Sequence, residues 1–119
     1  MLRAESRQRA VRYDIVKGLS ELVDGRDDGS KILLASGLEY EECLTNTYTI
    51  LADDPLSAHI RHEHLCRLGC GDWQTRTETS STMSADAESF YVTNVLDAYE
   101  GDTRIFTKTW HFKVARDLV

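Results

Sequence analysis

Proline is almost missing from this chain: Pro55 is the only one in 119 residues. Little in the sequence therefore interrupts long ladders of backbone hydrogen bonds. Also absent is any apolar run near the roughly 18 residues that a membrane span needs. The basic start, MLRAESRQRAVR, has no apolar stretch behind it of the kind a secretory signal carries. Basic residues are in deficit, 14 Lys and Arg against 20 Asp and Glu, for a net charge of -6. The field of the whole molecule then repels nucleic acid and anionic membrane, and neither is expected as a partner. No nucleotide loop, nucleophile elbow or zinc-ligand spacing occurs. The cysteines, Cys43, Cys66 and Cys70, are odd in number and irregularly spaced, which points to free thiols and a cytoplasmic location rather than a disulfide framework.

What is present is a globular balance, 41% hydrophobic and 29% charged, in a chain long enough for one domain over residues 1–119. Helical periodicity is weak, and runs rich in Thr, Val, Ile, Tyr, Phe and Trp recur between Gly and Asp punctuation. Strands are predicted over 8–16, 19–23, 31–35, 38–50, 57–68, 73–83, 90–99 and 104–114. Residues 24–29, rich in Asp and Gly, are predicted as a loop. Asp53-Asp54-Pro55, Gly69-Cys70-Gly71-Asp72, residues 84–89 and Glu100-Gly101-Asp102 are predicted as reversals. Connections this short make the long strands antiparallel neighbours. The expected fold is all-β, an antiparallel meander of about eight strands curled into a rolled sheet or a small lipocalin-like barrel.

The richest stretch is 51–73, LADDPLSAHIRHEHLCRLGCGDW, which holds the proline, two cysteines and three of the four histidines. Alternation puts His62, His64 and Cys66 on one strand face. Neutral imidazole and thiolate suit zinc, and Cys70 or Glu42 could complete a set, but the spacing matches no zinc motif, so neither a metal nor any other cofactor is assigned. Pairing Cys66 with His64 or Asp72 as nucleophile and base is disfavoured, because Cys in sheets usually fills space. Asp27-Asp28 and Asp53-Asp54 read as solvated turn groups. The face carrying Phe90, Phe106 and Trp110 also carries Glu42, Asn46, His62, His64, Asn94 and Lys108. Burying such groups unpaired costs a few kcal/mol each. Either they pair in networks, or the face encloses water or a small molecule, or it docks another domain or subunit. Candidate ligand-binding residues are His62, His64, Glu42, Asn46, Asn94, Lys108 and Trp110.

The order of several short segments adds a resemblance. These are Arg12-Tyr13-Asp14-Ile15 with Gly18, Asp53-Asp54-Pro55-Leu56-Ser57-Ala58, Gly71-Asp72-Trp73 with Arg76-Thr77-Glu78-Thr79, and Phe90. Then come Leu96-Asp97-Ala98-Tyr99-Glu100-Gly101-Asp102, Arg104-Ile105-Phe106 and the closing Arg116-Asp117-Leu118-Val119. Together they resemble the C-terminal segment of CocE/NonD-type serine hydrolases, the X-Pro dipeptidyl-peptidase-like enzymes. Ala115 departs from that pattern, where a proline is expected. In that family the Ser-His-Asp triad lies in an α/β-hydrolase domain N-terminal to the segment. No G-x-S-x-G stands in these 119 residues, since Gly18-Leu19-Ser20-Glu21-Leu22 lacks the second glycine. The resemblance thus implies a non-catalytic β accessory domain with no catalytic residue of its own. Its expected partner is a hydrolase domain or a second copy of the chain. The alternative is a small-molecule-binding β-barrel with a polar, histidine-lined interior.

Overall fold

The computed structural model describes residues 3–33 and 36–117. Residues 34–35 of the strand expected at 31–35, and residues 118–119 of the closing segment, lie outside them. The described residues form seven strands: β1 (Ser6–Asp14), β2 (Leu19–Leu33), β3 (Leu38–Leu51), β4 (Asp54–Cys70), β5 (Trp73–Ala85), β6 (Ser89–Glu100) and β7 (Thr103–Ala115). Each pairs antiparallel with the next, giving one sheet in the order β1-β2-β3-β4-β5-β6-β7. The all-β meander is as expected. The edges β1 and β7 do not pair with each other, so the sheet is open, and the barrel alternative is corrected.

Seven strands replace about eight because the predicted loop at 24–29 is part of β2. Asp24, Gly25, Arg26 and Asp27 pair with Arg9, Gln8, Arg7 and Ser6 on one side and with Asn46, Thr45, Leu44 and Cys43 on the other. Being hydrogen-bonded on both sides outweighs the low strand propensity of Asp and Gly. The turn chemistry survives as a bulge: between Asp27 and Ser30, β2 holds one residue more than β3. Gly29 sits there with φ +76, and a Cβ would stand 2.2 Å from the Arg3 carbonyl oxygen, so only glycine fits.

The reversals are tighter than the sequence suggests. Gly71-Asp72 and Gly101-Asp102 are two-residue loops closed by the pairs Cys70–Trp73 and Glu100–Thr103, and each glycine takes the positive φ that such hairpins require. The β3–β4 turn is Ala52-Asp53, with Asp53 at φ 59, and Leu51 pairs with Asp54. Pro55 therefore lies just inside β4 rather than in the turn. It occupies a register shift where its missing N–H breaks no regular ladder. The β5–β6 turn narrows from 84–89 to 86–88. There one Asp86 carboxylate oxygen accepts the backbone N–H groups of Glu88 (2.8 Å) and Ser89 (2.7 Å).

A core is what the sheet lacks. No hydrophobic side chain among the described residues is fully buried. The chain exposes 8481 Å², whereas a folded monomer of this size exposes about 6,500 Å². Its radius of gyration is 18.1 Å, against about 13.5 Å for a compact domain of this length. These are the dimensions of a single layer, and stable domains stack two or more.

Candidate functional site

Residues directly opposite in an antiparallel ladder share a face, so the strand registers sort every side chain. One face is polar. Arg12 bridges Glu21 (2.8 Å), Arg76 bridges Glu78 (3.1 Å), Arg61 bridges Glu63 (3.2 Å), and Arg3 is clasped by Asp27 and Glu41. Arg76 also stacks on Tyr99, 4.1 Å from the ring centroid. A shallow depression of about 500 Å³ lies in this face, lined by residues that include Thr45, Arg61, Glu63, Glu78 and Ser80.

The opposite face is divided in two. Near the end that carries the β1–β2, β3–β4 and β5–β6 turns, one apolar side chain from every strand falls into register. Val11 opposes Leu22, then Tyr48, Ile60, Met83, Val92 and Phe112 follow in unbroken succession from edge to edge. One step closer to the turns, Tyr13, Ile50, Phe90 and Val114 add to it. At a strand spacing of about 4.8 Å this band is about 29 Å long. Much of it is open to water: Val11 is 78% exposed, Tyr13 56%, Val114 53% and Phe112 49%. A groove of about 360 Å³ runs over its β1–β4 part, between Val11, Leu22, Tyr48 and Ile60.

The next two rows, away from the turns, carry most of the sequence-predicted site. The first runs Arg9, Asp24, Asn46, His62, Ser81, Asn94, Trp110, and the second Arg7, Arg26, Leu44, His64, Thr79, Leu96, Lys108. His62 Nδ1 is hydrogen-bonded to Asn46 Oδ1, and His64 Nε2 lies 2.7 Å from Glu42 Oε1. The Tyr40 hydroxyl donates to the other Glu42 oxygen. That bond, followed by the one to His64, holds the Glu42 carboxyl below its ordinary range, while the Tyr40 phenol is pushed up to about 12 by the same carboxylate. Asn94 opposes Trp110, and Lys108 lies over the Trp110 ring at 5.1 Å.

The seven candidates therefore lie on one face but do not converge. Ser81 of β5 stands between His62 and Asn94, a separation of about 9.5 Å, and the histidines pair locally along the sheet, His62 with Asn46 and His64 with Glu42. Among the described residues no group of three His, Cys, Asp or Glu is placed to hold a metal ion. Desolvation pushes the thiols of Cys43 and Cys66 above their ordinary value, the reverse of what a nucleophile needs. The apolar band was not singled out from the sequence. Alternation sorts side chains within a single strand, and only the register between strands reveals that one apolar residue per strand lines up. Comparison of the chain with protein-family models, with curated proteins and with solved structures finds no match.

Proposed function

We propose that the chain is a non-catalytic interaction module whose sheet forms one layer of a larger assembly. The open, coreless sheet with its apolar band carries this reading. Fully burying a Val, Leu, Ile, Phe or Met side chain contributes about 1.5–3 kcal/mol, and a band crossing all seven strands forgoes much of that while it faces water. Contiguous exposed apolar surface of this extent marks a contact site. The quoted segments that resemble the C-terminal part of CocE/NonD-type hydrolases point the same way, since that part is an accessory domain packed on others. That resemblance rests on those residues alone.

A dye that brightens on apolar surface tests the reading. The dilute, folded chain is expected to enhance anilinonaphthalene sulfonate fluorescence strongly, and Val11→Lys with Phe112→Lys to remove most of the enhancement. A chain that is folded and monomeric at that dilution yet leaves the dye dark has no open face and refutes the proposal. In the same preparation, hydrolysis of p-nitrophenyl esters is expected at the buffer rate.

A further inference from the structure

We infer that the free edge of β7 takes up an extended, acidic strand of another polypeptide, which continues the sheet as an eighth strand. This surface is the rim of the sheet, so the inference goes beyond the interaction-module reading and does not depend on what covers the apolar band. Three observations carry it.

The first is that the edge is open and regular. Among the described residues β7 pairs with β6 alone, and every β7 residue except Trp110 is exposed. From Phe106 to Ala115 its residues pair with Ala98 to Ser89 without a register shift. The outer side of that stretch is therefore an even row of about five N–H and five C=O groups. No proline or bulge interrupts it, and such a row is a template for another strand.

The second is that the charges that would guard this edge are drawn away from it. Arg104 reaches back to Asp97 of β6 at 3.8 Å, Lys113 lies over the Tyr91 ring of β6 at 5.8 Å, and Lys108 lies over Trp110 of its own strand at 5.1 Å. The opposite edge differs. On β1, Arg12 is held by Glu21, but Arg7 and Arg9 make no hydrogen bond or ion pair among the described residues and are free to lean outward. β1 is guarded by its cations, and β7 is not.

The third is complementarity. β7 holds Arg104, Lys108 and Lys113 and no carboxylate, whereas its covered side meets β6, SFYVTNVLDAYE, which holds Asp97 and Glu100 and no Lys or Arg. β6 also sets Phe90, Val92 and Ala98 opposite Val114, Phe112 and Phe106. The outer side presents the same β7 side chains, and Phe106, Phe112 and Val114 stay about half exposed there. A strand with the alternation and the acids of β6 gives each of them a second neighbour, while a basic strand would set like charges side by side. A second copy offers only β1 and β7 as free edges, both with net positive charge, so the occupant is a different polypeptide.

A fluorescent peptide copying residues 89–100 is the probe, titrated into the full chain and read by anisotropy. Saturable binding is expected. A twin with Lys in place of both acids should bind at least about tenfold more weakly at low salt, with the gap closing at high salt. The Lys108→Glu/Lys113→Glu chain should instead prefer the Lys twin; both positions are exposed, and circular dichroism checks that it folds. Two further twins are N-methylated at alternate residues in opposite phase. Only one of them should bind, since alternate residues of an added strand direct their N–H groups to β7. Amide hydrogen exchange should slow in β7 and stay unchanged in β6. Absence of binding up to millimolar peptide overturns the inference, as do equal affinities for the acidic and Lys peptides or for the two methylated twins. Faster exchange in β6 also overturns it, because the peptide would then be replacing β6 rather than adding to β7. The dye experiment keeps the two levels apart. A chain that brightens the dye but ignores the peptide leaves the module reading standing, and one that binds the peptide with the dye dark removes that reading alone.

Discussion

Glu42 on β3 and His64 on β4 meet with Oε1 2.7 Å from Nε2, while Tyr40, two residues along β3, donates its hydroxyl to the second oxygen of the same carboxylate. One carboxylate thereby accounts for two of the polar groups that make this face look like a site. Glu42→Gln is expected to return the Tyr40 phenol from about 12 toward its ordinary value, seen as an earlier rise in phenolate absorbance in an alkaline titration. The linkage has two signs. The carboxyl is lowered in the folded state, so its contribution is present above its unfolded pKa and is lost as pH falls through the folded one. The phenol is raised, so its contribution is complete below its unfolded pKa near 10 and is lost as pH rises toward about 12. In a half-exposed site these contributions are modest, below about 1 kcal/mol.

Asp86 organises the β5–β6 turn through the backbone N–H groups of Glu88 and Ser89 and through the Tyr91 hydroxyl at 2.5 Å. The Tyr91 bond, then the two backbone bonds, hold its carboxyl below the ordinary value. Asp86→Asn is expected to lower the thermal midpoint at neutral pH. It should also remove the part of wild-type stability that fades as pH falls through the carboxylate range, so that the two melting curves approach each other in acid.

Gly29→Ala places a Cβ 2.2 Å from the Arg3 carbonyl oxygen at a φ of +76. A loss of at least about 1–2 kcal/mol is expected from the left-handed conformation alone. Denaturant unfolding measures it, and faster hydrogen exchange at Ser30, whose N–H is bonded to the Arg3 carbonyl at 3.1 Å, locates it.

The three thiols should react unequally with a disulfide reagent. Cys70 is exposed, whereas Cys43 and Cys66 are partly covered and their thiols are raised by desolvation. One rapid and two slower equivalents are expected at mildly alkaline pH. Cys70→Ser should remove the rapid phase only.

The strands from β3 onward were legible in the sequence, because their alternation is long and their turns carry Gly-Asp or Asp-rich signals. Residues 24–29 were misread for a physical reason: Asp and Gly do disfavour strands, and only the pairing of β2 with both β1 and β3 overrides that preference. His62 and His64 were correctly put on one face with Glu42 and Asn46, and that local chemistry is recovered as the pairs Asn46–His62 and Glu42–His64. Whether that face closes was not legible. Closure depends on whether β1 meets β7, an outcome of twist and shear over the whole sheet rather than of any residue pattern.

The account depends on the sheet being a single open layer when alone. Small-angle scattering from the Val11→Lys/Phe112→Lys chain, at a concentration where sedimentation shows it monomeric, measures this directly. A radius of gyration near the 18.1 Å of the isolated sheet is expected, and a value near the roughly 13.5 Å of a compact domain would contradict it.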